Sequence, residues 1–217
     1  STVNMLGAEE LNFTAFQTDI NVENDIKTMK GKLKYGSIAM KGSANTLDVD
    51  AFQSKIKIDK VNDFEATGSY SHFNAKNVEN LLTTASFQNS YTLGEVGKVK
   101  GDSKYTSFNI GKLNQDLDLK TFQGSVDIDE VLADFKKCDI EAKYTAIDLK
   151  FNPASKYNIN AQTTYTSIDY PEGLLEIKEK ERVNSRLSLK GVFNADNNKE
   201  PSLVNVISFQ GKLNLGW

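Results

Sequence analysis

Apolar residues recur at every second position through most of this chain. In the clearest stretch, Leu117 and Leu119 alternate with Asp118, and Val126 and Ile128 alternate with Asp127 and Asp129. A spacing of two, with Thr, Ile, Val, Tyr and Phe filling the runs, predicts β-strands and excludes the 3.6-residue pattern of paired-helix repeats. Five segments open on Phe-Gln and continue with an apolar pair: Phe16-Gln17 with Ile20 and Val22, Phe52-Gln53 with Ile56 and Ile58, Phe87-Gln88 with Tyr91 and Leu93, Phe122-Gln123 with Val126 and Ile128, and Phe209-Gln210 with Leu213 and Leu215. A tyrosine version lies between them, opening at Tyr35, Tyr70, Tyr105, Tyr144 and Tyr165. The Phe version recurs every 35 or 36 residues through Phe122, and the two versions alternate, so the unit is about half that length.

Units of near-constant length with like residues at like places are what stacking rewards. An antiparallel meander would reverse every second unit and bring unlike ends together. The pattern therefore predicts an all-β, single-domain parallel β-solenoid of about ten coils of 17–22 residues. Residues 1–170 form the regular coils. Residues 171–202 break the period as a hairpin or cap: a Pro171-Glu-Gly173 turn, a charged stretch from Glu176 to Arg182, a strand from Arg186 to Phe193 and a turn-rich loop. Residues 203–217 return as the last coil. Period-two alternation puts Leu117, Leu119, Phe122, Val126 and Ile128 inside, and Asp118, Asp127 and Asp129 outside. The extra residues between Phe122 and Tyr144 are expected to bulge near Phe135–Cys138, leaving Val126 stacked on Ile147.

Composition narrows the function classes. Charged residues are 25% and hydrophobic residues 39%, as in folded chains, and the net charge of −3 lacks the basic excess that nucleic acid requires. No apolar run approaches the ~18 residues of a membrane-spanning helix, so no transmembrane segment is expected in this sequence. No signal peptide is present, and its absence says little, because the start at Ser1 reads as that of a trimmed chain. The single cysteine, Cys138, and single histidine, His72, lie far apart and read as structural rather than as a nucleophile pair. No phosphate-binding glycine loop and no Gly-x-Ser-x-Gly element is present, and no cofactor is expected.

The stretches Leu117-Asp-Leu-Lys-Thr-Phe-Gln-Gly-Ser-Val-Asp-Ile128, Glu141-Ala-Lys-Tyr-Thr-Ala-Ile-Asp-Leu149 and Asn160-Ala-Gln-Thr-Thr-Tyr-Thr-Ser-Ile-Asp-Tyr170 carry a resemblance. They are similar to the tandem strands of the bacterial adhesin-like family of toastrack β-solenoids, over most of the chain. The family's Gly-Asp turn is mostly replaced here by Gly-Ser, Thr-Ser or Ser-His. The resemblance implies an exported protein of the cell surface, periplasm or outer membrane, and it brings no catalytic residues.

Two columns are candidates for function. Coil stacking puts Asp127, Asp148 and Asp169 at one outward position in three consecutive coils. Carboxylates ~4.8 Å apart repel unless they are screened, paired with lysines or bound to a cation such as calcium. A lysine-relieved acidic stripe is the simpler reading, and a cation site the sharper one. The second column is Tyr35, Tyr70, Tyr105, Tyr144 and Tyr165. Offset by one step from the phenylalanines, it is expected to stand partly outside while the phenylalanines point inward. It serves either as a corner ladder packing successive coils or as a glycan-stacking face. The leading expectation is a non-enzymatic, adhesin-like envelope or surface protein that presents a solenoid face to a glycan or cell-surface protein. The alternatives are a carbohydrate-active β-helix enzyme of the pectinase or polysaccharide-lyase kind, and an envelope-stress sensory or scaffolding ectodomain.

Overall fold

A computed structural model describes residues 1–216 and contains no helix among them. The first two coils are each split into two strands: β1 (Thr2–Met5) with β2 (Ala8–Phe16), and β3 (Asp19–Val22) with β4 (Ile26–Lys34). The next strands each run round most of a coil: β5 (Ser37–Phe52), β6 (Lys55–Ser69), β7 (His72–Phe87), β8 (Ser90–Lys104), β9 (Ser107–Val131) and β10 (Lys137–Phe151). The chain continues through β11 (Tyr157–Asp169), β12 (Leu175–Val183), β13 (Arg186–Phe193) and β14 (Ser202–Gly216). The stack runs in parallel from β1 through β10 and β14 to β11, giving a solenoid of about eight turns of about 18 residues. At ~4.8 Å per turn the rod is roughly 40 Å long.

One coil shows how the sequence builds it. Ile38 and Met40 point inward, the chain bends through Lys41–Ser43, and Leu47, Val49 and Ala51 point inward from the returning run. A sharp corner at Phe52-Gln53-Ser54 then starts the next coil. Stacked in register, the inward residues form columns. In one of them Phe73, Tyr91 and Phe108 stack, their rings parallel within 8° at 4.8 and 4.9 Å. Each such contact adds about 0.5–1.5 kcal/mol beyond burial. The Tyr91 hydroxyl, deep in the core, is satisfied by Thr83 at 2.8 Å and Ser86 at 3.2 Å. Burial pushes that phenol above its ordinary value.

The expected register holds where the coil length changes. Val126 pairs with Ile147 and Leu117 with Cys138, and the extra residues form a short loop at 132–136. Leu117, Leu119, Val126 and Ile128 are buried. Phe122 departs from the expectation, being half-buried on the outer surface, and so does Asp127, which is half-buried.

The largest correction lies at the C-terminal end. Residues 203–217, expected as the last coil, do not end the rod (Trp217 lies outside the described residues). β14 is inserted between β10 and β11 and pairs with both in parallel. β13 then lies antiparallel on the far edge of β11, and β12 antiparallel on β13. These strands close the end, with β14 adding its rung out of chain order between β10 and β11. The outermost strand, β12, is exposed along nearly all its length and carries Glu176, Lys178, Glu179, Lys180, Glu181 and Arg182. Charge of this density blunts an edge strand against further pairing.

Candidate functional site, an aromatic corner

The sharp corner of each coil is made by one residue in the left-handed backbone region. On neighbouring rungs of the stack, in spatial order, it is Gln17, Tyr35, Gln53, Tyr70, Gln88, Tyr105, Gln123, Tyr144, Gln210 and Tyr165, with φ between 45° and 57°. The Gln of the Phe-Gln version and the Tyr of the other version therefore occupy the same place. None is glycine, so each bend costs about 1–2 kcal/mol. The bend lets the corner N–H stay in the stacking ladder: Tyr35 donates to the carbonyl of Phe52 at 3.0 Å and Tyr105 to that of Phe122 at 2.8 Å.

The next residue locks the corner. The hydroxyls of Thr18, Ser54, Ser71, Thr106 and Thr145 donate to the carbonyl two residues earlier at 2.8–3.0 Å. Glycine takes this place in the coil stacked after a threonine. A Cβ at Gly36, Gly124 or Gly211 would lie 2.1, 2.0 or 2.2 Å from the carbonyl oxygen of Thr18, Thr106 or Thr145.

The rings of both versions project outward here and mesh. Phe16, Tyr35, Phe52, Tyr70, Phe87, Tyr105, Phe122, Tyr144, Phe209 and Tyr165 form one zigzag, every neighbour edge-to-face at 5.3–6.0 Å. This corrects the expectation that phenylalanine points inward. Phe52 follows the inward Ala51, so its parity is outward, and Phe16 is 61% exposed. The five tyrosines are 43–65% exposed, in line with a partly outward position. Alternation has a steric cause. Identical rings stacked at ~4.8 Å would leave no room for edge-to-face contact, whereas rings from two adjacent positions interleave.

The same rule explains the inserted strand. β10 and β11 both carry the tyrosine version, so Tyr144 and Tyr165 follow one another in sequence without a Phe-Gln corner between them. Phe209 of β14 supplies it, 5.6 Å from Tyr144 and 6.0 Å from Tyr165. That break in the sequence alternation was the available signal for the insertion.

Beside the corner lies the broad outer face of the returning runs, which carries several shallow grooves. One, of about 690 Å³, is lined among others by Lys30, Asp48, Asp63, Glu65, Leu82 and Lys100. Another, of about 410 Å³, is lined among others by Asp118, Asp139, Glu141, Asn160, Gln162 and Asn205. Charges of opposite sign pair between rungs on this face, as in Lys30–Asp48 at 2.6 Å and Lys120–Glu141 at 3.4 Å. Lys30 is held above its ordinary value chiefly by its hydrogen bond to Asp48.

The aspartate column lies on the opposite, shorter run. Asp127 and Asp148 are direct neighbours, both half-buried. Asp169 is not the next rung, because β14 places Asn214 between it and Asp148. Asn214 Nδ2 donates to Asp148 Oδ1 at 2.9 Å, and Lys212 lies 3.3 Å from the exposed Asp169. Two residues on from Asp148, Lys150 pairs with Asp129 at 3.0 Å, and this hydrogen bond holds its ammonium above the ordinary lysine value. No group of three or more His, Cys, Asp or Glu side chains is arranged to hold a metal among the described residues.

Cys138 and His72 are not brought together. Cys138 is buried between Leu117 and Val204, where burial drives its thiol far above the usual range, and His72 is exposed between Lys55 and Ser90. No protein-family model matches this chain, and no curated protein or solved structure does either.

Proposed function

We propose that this chain is a non-enzymatic, adhesin-like binding rod, exported to the cell surface or envelope, whose aromatic corner and adjoining grooves engage a glycan. The observation that carries the reading is the row of exposed tyrosines repeated every second coil along one corner. An array with a fixed repeat favours a partner that also repeats, since each further contact is gained at high effective concentration. Tyrosine rings suit sugar faces because they combine a rigid apolar surface with a hydroxyl. The Asp, Asn, Gln and Lys side chains of the neighbouring grooves offer acceptors and donors for sugar hydroxyls. The resemblance to toastrack β-solenoids supports the exported location.

A glycan array run beside an activity screen on acidic polysaccharides tests this reading. Binding that is lost in a Tyr35→Leu/Tyr105→Leu variant with unchanged circular dichroism supports it. Turnover of an acidic polysaccharide would instead favour the β-helix lyase. Absence of binding to every glycan class would end the proposal.

A further inference from the structure

The position just before each corner makes a column of its own. From β8 onward, in stacking order, it holds Lys104, Phe122, Lys143, Phe209, Thr164 and Arg186. Lys34 takes the same place between Phe16 and Phe52. Cations thus stand between the rings of the ladder. Lys104, Lys143 and Arg186 are exposed. Among the described residues their charged heads form no ion pair and none lies over a ring. Two shallow grooves run beside this column and meet at Glu141 and Lys143. One, of about 510 Å³, also takes in Lys104, Tyr105 and Lys120, and the other, of about 440 Å³, takes in Gln162 and Arg186. The carboxylates of the two grooves are Asp102 and Glu141, and Glu141 is already paired with Lys120 at 3.4 Å. Four cations therefore face two carboxylates here, in a chain whose net charge is −3.

From this column we infer, on the footing of the glycan-binding reading, that the ligand of the corner is an acidic glycan. Its carboxylate or sulfate groups pair with Lys104, Lys143 and Arg186, and its sugar rings lie against Tyr105 and Phe122. A neutral glycan would leave the three cationic heads without a use. An acidic one supplies both of the chemistries the column offers, an apolar sugar face for a ring and an anion for the cation next to it. The planar fork of Arg186 suits either anion, since both present two oxygens side by side. Lys104 and Lys143 are two rungs apart, roughly 10 Å at ~4.8 Å per rung. An exposed ion pair is weak by itself, so affinity comes from several pairs made at fixed spacing along one chain. A nucleic acid is a poorer fit, because it calls for a broad basic face and this one also carries Asp102 and Glu141.

Affinity electrophoresis of the whole chain through gels holding polygalacturonate, heparin, neutral dextran or duplex DNA tests the inference. Polygalacturonate, heparin or both should retard the protein, and dextran should not, with the retardation fading as salt rises. The stronger of the two acidic glycans tells carboxylate from sulfate. Lys104→Gln/Lys143→Gln should weaken that binding by about tenfold. Lys55→Gln/Lys57→Gln, which removes the same charge from the shorter run, should leave it unchanged. All four side chains are exposed, so the melting temperature should match the parent in both variants. Dextran binding as strong as that of the acidic glycans, and indifferent to Lys104→Gln/Lys143→Gln, would leave the glycan-binding reading standing and overturn this inference. Equal losses in the two double variants, or DNA held as tightly as the acidic glycans, would reduce the effect to non-specific charge and overturn it as well. Failure to bind any glycan would end both.

Discussion

Tyr105 offers the sharpest test of the corner. Its ring contacts Phe87 at 5.3 Å and Phe122 at 5.7 Å, and its backbone is left-handed at φ 55°. The residue is 43% exposed, so a little over half of its surface is covered. Taking an aromatic side chain to bury about 200 Å² when fully covered, Tyr105→Ala forfeits roughly 110 Å² of contact, or ~2.8 kcal/mol as an upper estimate. Two edge-to-face contacts add about 1–3 kcal/mol, and partial collapse of the neighbours returns some of the loss, so ~2–4 kcal/mol is expected. Tyr105→Gly removes the same contacts but also relieves the left-handed strain, worth about 1 kcal/mol. In an ordinary strand glycine is about 0.5–1 kcal/mol worse than alanine. Here the order should invert, with the glycine variant the more stable. Urea denaturation followed by circular dichroism reads this as a higher midpoint at equal slope. Equal slopes also guard against the loss of cooperativity to which repeat folds are prone. If alanine proves more stable than glycine at this place, the account of the corner is wrong.

Gly124→Ala should destabilise by about 1–3 kcal/mol, because its Cβ would press on the Thr106 carbonyl; a melting temperature equal to that of the parent would contradict the packing. Asp25 accepts hydrogen bonds from the Ser43 N–H at 2.7 Å and the Ser43 hydroxyl at 2.9 Å, which hold its carboxyl below the usual value. Its stabilising contribution is therefore present above the unfolded-state pKa and is lost as pH falls through the lowered folded value, so Ser43→Ala, which removes the hydroxyl and keeps the N–H, should partly flatten the acid side of a stability–pH curve. Asp148→Asn relieves the repulsion from Asp127 and should stabilise by tenths of a kcal/mol at low salt, with the gain shrinking as salt rises; a gain that ignores salt would separate these carboxylates.

The architecture was legible because stacking writes itself into the sequence. The alternation of Val126, Asp127 and Ile128 and its recurrence at Ile147, Asp148 and Leu149 fixed both the strand period and the rung register. The facing of the corner rings was harder to read. A left-handed residue breaks the two-residue alternation, and Gln and Tyr at φ near 50° carry no local signature such as glycine would give. The order of the last rungs was hidden for another reason. Strand pairing between β10 and β14 joins Ile147 to Leu213, a contact far apart in the chain that no local pattern specifies. The same gap undid the aspartate column, since Asn214 enters between Asp148 and Asp169 from outside the repeat.

The place of β14 turns residues 202–216 into a keystone. A regular solenoid grows like a coil of rope, each turn laid on the one before as the chain is made. Here β10 and β11 are held apart by a strand that emerges over thirty residues after β11 ends, so growth must pause with a slot open. Until it is filled, β10 has no neighbour on that side, and β11 can dock only through β13. Trimming this segment would thus take out the rung that joins β11 to the stack and detach the closing hairpin along with it.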